Sequence, residues 1–127
     1  LLVQTVAELA AGTARRIPQD HSQATLAPML SRELSPIDWS RSGWDIHNQI
    51  RGLVPWPATS TDIFSAEPVK VFKSTLLDQP GTVVAAGKEG IDVACGDGRL
   101  LRILELQAPG GKRMSAASYL AGHPIHL

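Results

Sequence analysis

The first apolar pattern in the chain has helical spacing. Leu2, Val6 and Leu9 recur at i, i+4 and i+7, which places them on one stripe of a helix. We expect this helix to cover residues 1–11 and to end at Gly12, because glycine commonly closes a helix. Few apolar residues follow directly, so we expect the stripe to pack on a core that lies upstream of these residues.

The next stretch, residues 13–36, has weak periodicity. It contains Pro18, Pro28 and Pro36 and is mostly polar around its middle. Proline fixes the backbone and removes a hydrogen-bond donor, so this composition favours an extended connector over a folded unit.

A second helical pattern covers residues 40–53. Ile46, Ile50 and Leu53 form an apolar stripe, and Ser42 is followed three residues later by an aspartate, the spacing of a capping box. Glycine and then proline follow the stripe and predict its end. Larger side chains form a second stripe: Trp44, His47 and Arg51.

The second half of the chain changes to short alternating segments, which predict strands. Glycine-containing turns at residues 87–90 and 96–98 separate some of them, and Ser115 precedes a last short helix over residues 116–121. The predicted fold is mainly β with flanking helices (α+β), a small open or closed β-barrel of the oligonucleotide-binding type. The predicted strands are Thr59–Phe64, Val69–Leu77, Thr82–Ala86, Ile91–Cys95 and Arg99–Gln107.

Composition excludes several classes of protein. The 127 residues hold 12 Lys and Arg against 12 Asp and Glu, so the chain does not coat nucleic acid by bulk charge. A single cysteine, Cys95, excludes an internal disulfide, and its alternation with apolar residues predicts a buried side chain. No apolar run is long enough to span a bilayer, and we expect no membrane contact.

Catalytic and metal-binding motifs are absent from the sequence. There is no nucleophile elbow around a serine and no glycine-rich phosphate loop. His123 and His126 are three residues apart, but no further ligand types accompany them, so a disordered tail is the interpretation favoured over a metal site. We therefore expect no catalytic residue, no metal and no bound cofactor in this chain.

Basic residues offer the remaining candidate chemistry. Lys112 and Arg113 follow two glycines in a predicted loop, where both could reach a phosphate, and Lys88 and Arg99 lie at predicted turns. On composition alone, scattered charges that only promote solubility are the favoured interpretation, and phosphate contact is the alternative.

Several short motifs follow one another along the chain. They are Ile37–Ser40, Ile46–Gly52, Pro55–Pro57, Pro68–Val71, Pro80–Val83, Val93–Gly98, Leu106–Gln107 and Gly111–Ala116. Taken in this order, they resemble the C-terminal part of methionyl-tRNA formyltransferase, and the resemblance extends to about Gly122. The chain also begins without a methionine, so we expect a piece of a longer protein.

This resemblance implies a function for the whole protein. Enzymes of the family transfer a formyl group from 10-formyltetrahydrofolate to the methionine of initiator methionyl-tRNA, and their catalytic Asn, His and Asp belong to an N-terminal domain. The resemblance implies residues 1–22 as the tail of that catalytic domain, residues 23–36 as a linker and residues 37–127 as a C-terminal β-barrel domain. It implies initiator tRNA and the N-terminal domain as partners, a cytoplasmic location, and no activity for these residues alone.

The resemblance also implies roles for individual side chains. Lys112 and Arg113 match a basic segment of the family and become candidates for contact with the tRNA backbone, together with Arg51, Lys88 and Arg99. His47 and Trp56 become candidates for packing between domains, with base stacking the second reading of Trp56. The sequence departs from the family at Ala58 and Ser60, where glycine and an aromatic residue are common.

Two other readings remain open. The chain could be the accessory domain of a formyltransferase or hydrolase that acts on amino sugars or on folate. It could also be a free-standing oligonucleotide-binding barrel.

Overall fold

A computed structural model describes residues 1–80 and 85–125. It contains the helices α1 (Leu2–Ala10), α2 (Gly43–Gly52) and α3 (Ala116–Gly122), and short 3-10 turns at His21–Gln23 and Arg32–Leu34. The strands are β1 (Thr59–Thr61), β2 (Val69–Pro80), β3 (Ala85–Gly87), β4 (Gly90–Ala94), β5 (Arg99–Gln107) and β6 (Met114–Ser115).

All strands pair antiparallel in one sheet with the order β1-β2-β5-β4-β3, and β6 pairs with β5. In the part of the chain that the structure describes, β1 and β3 are the outer strands and the sheet remains open. The predicted α+β fold with a barrel-like sheet is confirmed, in its open form.

The core lies between one face of the sheet and the helices α2 and α3. The predicted stripe of α2 is buried, with Ile46 and Ile50 at 0% exposure and Leu53 at 6%. Burying each such aliphatic side chain contributes roughly 1.5–3 kcal/mol. The other side of the core comes from the sheet and from Cys95, which directly follows β4. The strand residues are Val69, Val71, Ile91, Val93, Leu101, Ile103 and Leu106.

Strand prediction succeeded where the pattern was strong. β5 has the predicted bounds, and β2 continues past Leu77 to Pro80. β4 both begins and ends one residue before the prediction, so Cys95 lies just outside the strand. β1 stops at Thr61 instead of reaching Phe64, because the Thr61 hydroxyl accepts the backbone N–H of Ile63 at 3.3 Å. Of the predicted strand Thr82–Ala86, residues 82–84 lie outside the described part, as does most of the Pro80–Val83 motif, and Ala85–Ala86 belong to β3.

The first helix, α1, ends as predicted. Gly12 has a φ of +69°, its N–H bonds to the carbonyl of Leu9, and the N–H of Thr13 bonds to the carbonyl of Glu8. These two bonds form a Schellman cap. No residue of α1 is buried, so its apolar stripe is exposed in this chain.

The start of α2 differs from the prediction. The helix begins at Gly43, after an Asp38 turn whose carboxylate accepts the N–H and hydroxyl of Ser40. Ser42 caps it by accepting the Asp45 N–H at 3.1 Å. The Asp45 carboxylate pairs with Arg41 at 3.7 Å, so only half of the expected capping box is present.

The turn at Gly96–Gly98 joins β4 to β5 and has a structural explanation. A Cβ added at Gly96 would lie 1.7 Å from the carbonyl oxygen of Ser40, and Gly98 has a φ of +78°. The Asp97 carboxylate accepts the N–H of Arg99 at 3.2 Å. The motif therefore brings the backbone of this turn against the segment that leads into α2.

The prediction of a disordered tail is wrong as far as Ile125, because this segment packs against the rest of the fold. Ser115 caps α3 by accepting the N–H of Ser118 at 3.1 Å, as predicted. The ring of His123 stacks on Tyr119, with centroids 4.5 Å apart, and Ile125 packs against the core. Aromatic and apolar contacts hold this segment, and His126 lies outside the described residues.

Candidate nucleic-acid interface

The Lys112 loop connects β5 to β6 and is held in a defined turn. Gly111 donates its N–H to Ala108 at 3.0 Å, and Gly110 has a φ of +68°. The side-chain amide of Gln107 donates to the carbonyl of Gly111 at 2.8 Å. Lys112 projects from this turn as an exposed side chain and makes no ion pair among the residues that the structure describes.

Arg113 is constrained, in contrast to Lys112. Its Nε donates to Glu105 at 2.7 Å, and its guanidinium lies 4.8 Å from the ring centroid of Phe72. Lys73 reaches the same carboxylate at 3.9 Å. One acidic side chain thus partly neutralises two cations on this part of the sheet.

Lys70 extends the basic surface from this loop toward the linker. Its cross-strand neighbours are Ser60 on β1 and Gln107 on β5, and its side chain is exposed. Gln107 is the residue that bonds to the Lys112 loop, so Lys70 lies beside that loop. We use the term basic strip for Arg32, Lys70, Lys73, Lys112 and Arg113.

The far end of the basic strip is a cleft beside the Pro55–Pro57 segment. The cleft has a volume of about 510 Å³, and we call it the Trp56 cleft. Sequence reasoning missed Arg32 and Lys70 as site residues, because they reach the cleft from the linker and from β2. The lining residues are Arg32, Ser35, Pro36, Trp56, Pro57, Ser60 and Lys70.

The linker end is built into the sheet at this cleft. Ile37 donates its N–H to Ser60 at 2.9 Å, and Ser60 donates its N–H to Ser35 at 2.8 Å, which gives a parallel bridge. Gln49 on α2 donates to the carbonyls of Leu34 and Pro36 at 2.8 and 3.1 Å. These bonds fix the wall that carries Arg32.

Within the described ranges, the other predicted basic residues lie apart from this strip and make no ion pair with its residues. Arg99 begins β5, about 26 Å from Gln107 at 3.3 Å per residue, and pairs with Asp97 at 3.9 Å. Arg51 donates to Asn48 at 3.2 Å on α2, and Lys88 is exposed in the turn between β3 and β4.

Arg102 shows a basic side chain with a structural role. It donates to both carboxylate oxygens of Asp92, at 2.7 and 2.9 Å, and it also pairs with Glu89. The bond to Asp92 raises the pKa of the guanidinium despite partial burial. Two carboxylates thus compensate this charge, and it adds little to an anion-binding surface.

His47 is half-buried between α2 and the sheet. Its Nδ1 lies 2.9 Å from the Ser74 hydroxyl, and its ring meets exposed Trp44 edge-on with centroids 5.9 Å apart. Burial, and secondly the charge of Arg51, lower its pKa below the ordinary value. The predicted packing of His47 against another domain stays a prediction.

Other chemistry is weak on the surface that the structure describes. Burial, and secondly the charge of Asp97, raise the pKa of Cys95 to about 11, which suits a packing residue and not a nucleophile. No group of three or more His, Cys, Asp or Glu side chains in the described ranges is placed to hold a metal ion. The helices described are all too short or too polar to cross a membrane.

Comparison with known proteins finds relatives that carry the same name. The chain is 50% identical to the methionyl-tRNA formyltransferase of Trichlorobacter lovleyi over 91% of its own length and 37% of that protein. It is 42% identical to the methionyl-tRNA formyltransferase of Bacillus subtilis over 96% of its own length and 40% of that protein. The chain thus spans about 40% of the length of such curated relatives.

Solved structures share the fold. HypX from Aquifex aeolicus superposes with a TM-score of 0.61 at 16% identity, over 98% of this chain and 23% of that one. A complex of HypX with tetrahydrofolic acid superposes with a TM-score of 0.56 at 18% identity, over 96% of this chain and 22% of that one.

The family described as the formyl transferase C-terminal domain matches residues 29–124. This chain belongs to the formyl transferase C-terminal domain family.

Proposed function

We propose that this chain is the tRNA-binding C-terminal part of a methionyl-tRNA formyltransferase. Support comes from curated relatives of that name and from the basic strip, above all exposed Lys112. In the whole protein the strip holds initiator methionyl-tRNA while an N-terminal catalytic domain transfers the formyl group from 10-formyltetrahydrofolate. The setting of this reaction is translation initiation in the cytoplasm.

The proposal divides this chain into three parts of the whole protein, with the catalytic residues in the N-terminal domain. Residues 1–22 belong to the catalytic domain, residues 23–36 form the linker, and residues 37–127 form the tRNA-binding domain. This part supplies positioning and no bond-making group, so the proposal assigns the isolated chain no formylation activity.

The strip suits contact with the phosphate backbone. Exposed lysine and arginine side chains bind phosphates without base specificity, and each contact releases counterions. The described structure holds Lys112 clear of carboxylates while Arg113 is tied to Glu105. We therefore assign Lys112 the larger share of the affinity and Arg113 a smaller one, and we give Arg51, Lys88 and Arg99 peripheral roles.

A salt titration tests the proposal. Filter binding of initiator tRNA to the whole protein should give an affinity that falls steeply with salt, and Lys112→Ala should reduce the slope of log K against log salt by about 1. Arg41→Ala removes the same type of charge from an exposed side chain that lies outside the strip, before α2, and is the control. Binding that is insensitive to salt, or absent, would instead favour an amino-sugar or folate enzyme in which this domain is a structural partner.

A further inference from the structure

The Trp56 cleft combines an exposed aromatic ring with two cations. Trp56 is 52% exposed, although the residues that follow it, Pro57 and Ala58, are buried. Arg32 approaches the cleft from the linker and Lys70 from β2. The lining contains no acidic residue; Glu33 is exposed next to Arg32, and Asp62 lines a neighbouring cleft.

Hydroxyl groups complete the polar side of the cleft. The Ser35 hydroxyl donates to the carbonyl of Ala58 at 2.6 Å and lies 3.2 Å from the Ser60 hydroxyl oxygen. Because a hydroxyl has one hydrogen and that of Ser35 goes to Ala58, the Ser60 hydroxyl donates to Ser35 and leaves its own oxygen as an acceptor. The cross-strand position of Ser60 beside Lys70 places this acceptor oxygen close to a cation.

These features match the chemistry of one nucleotide. A base has an aromatic face that stacks on an indole ring, and its phosphate is an anion that accepts hydrogen bonds. The cleft volume of about 510 Å³ falls within the roughly 300–1,000 Å³ of small-molecule sites.

An apolar protein surface would be a poorer occupant. An apolar partner over Trp56 would remove water from Arg32 and Lys70 without compensating their charges, which is costly. A phosphate compensates both charges as it displaces the water.

We propose that the Trp56 cleft holds an unpaired nucleotide of the bound RNA, with the base stacked on Trp56 and a phosphate between Arg32 and Lys70. This inference rests on the proposed tRNA-binding function and deepens it. The phosphate contacts of the Lys112 loop would bind a paired or an unpaired strand alike, whereas the cleft selects a strand whose base is free to stack.

The test uses tryptophan fluorescence of the 127-residue chain and a single-stranded hexaadenylate. We expect the oligonucleotide to quench the emission, and Trp56→Leu to abolish that quenching and weaken binding about tenfold. Trp44→Leu is the matched control, because Trp44 is 53% exposed on α2 and Trp56 is 52% exposed. Trp56→Phe should restore most of the affinity because the ring still stacks, and Lys70→Ala should lower the salt slope.

The outcomes separate this inference from the proposed function. If initiator tRNA binds with a salt slope that depends on Lys112 while Trp56→Leu and Trp44→Leu behave alike, the cleft inference fails and the proposed function stands. If wild-type chain and whole protein bind neither tRNA nor hexaadenylate, both fail. Loss of thermal stability in the Trp56→Leu whole protein with unchanged RNA binding would make Trp56 a packing residue and overturn the inference.

Discussion

At the scale of single residues, the Gly96–Gly98 turn depends on a position that has no side chain. Gly96 lies where a side chain would meet the backbone of Ser40, since an added Cβ falls 1.7 Å from its carbonyl oxygen. Backbone cannot move aside as a flexible side chain can, so we expect Gly96→Ala to lower the free energy of unfolding by about 2–4 kcal/mol.

Urea unfolding followed by tryptophan fluorescence measures this loss. Gly87→Ala is the control, because a Cβ there meets nothing within 4 Å, and we expect a change within about 0.5 kcal/mol. Equal midpoints for the two variants would contradict the close approach at Gly96.

His47 links stability to pH. Its pKa in the folded chain lies below the ordinary value of 6.5, chiefly because of burial. The folded state thus binds fewer protons than the unfolded state as pH falls below about 6.5. The contribution of neutral His47 is complete above that pH and is lost on acidification toward the lower, folded-state pKa.

The measurement is the thermal midpoint across pH 5 to 8, a range chosen to span the ordinary histidine pKa. We expect the wild-type midpoint to fall below pH 6.5 and His47→Gln to weaken that fall. His21→Gln changes an exposed histidine and should leave the profile as in wild type. A profile unaltered by His47→Gln would show that this ring does not couple to folding.

At the scale of elements, the positive charge that the basic strip presents is limited by one acidic residue. Glu105 on β5 pairs with Arg113 and with Lys73 at 3.9 Å. Removing its charge leaves both cations free to bind phosphate, so Glu105→Gln should tighten tRNA binding by about three- to tenfold. Asp45→Asn removes the same charge from an acidic side chain that pairs with Arg41 outside the strip, and it should have little effect. Weaker binding in Glu105→Gln would mean that Arg113 needs its carboxylate to be placed correctly.

Elements were predictable where local pattern and burial agree. β5 is apolar on both faces between a glycine turn and a proline, and its bounds were predicted correctly. β6 has two residues directly before a helix, too few for any periodicity. The register shift between Val71 and Lys73, which leaves Phe72 unpaired, depends on the facing strand and not on the sequence of β2 alone.

The candidate site was only partly predictable, because part of it depends on contacts between segments that are far apart in the sequence. Lys112 and Arg113 stand together in the sequence beside two glycines, so a loop with two cations was visible. Their different electrostatic states depend on Glu105 on β5, which pairs with Arg113 and makes no recorded pair with Lys112. The Trp56 cleft joins residues from the linker, the Pro55–Pro57 segment and β2, and no spacing rule connects those segments.

At the scale of the whole molecule, the described residues form one core that follows a long exposed segment. The side chains of residues 1–31 are exposed or partly exposed, and none is buried. The core contacts begin with the bonds of Leu34 and Pro36 to Gln49. The sheet and its two packed helices therefore form the stable unit, and α1 adds an apolar stripe without a partner among the described residues.

This arrangement predicts different behaviour for α1 in the chain and in the whole protein. A nine-residue helix without tertiary contacts is marginal in water, so its amides should exchange within seconds in the 127-residue chain, while those of β5 stay protected. If residues 1–22 belong to a catalytic domain, Leu2, Val6 and Leu9 become buried there, and hydrogen exchange in α1 should slow by a hundredfold or more, which is roughly 3 kcal/mol of added protection. Amides of β5 serve as the internal reference, because β5 pairs with β2 and β4 inside the sheet of this chain. Equally fast exchange of α1 in the whole protein would show that the helix is part of the linker, and the proposed boundary at residue 22 would move toward the N-terminus.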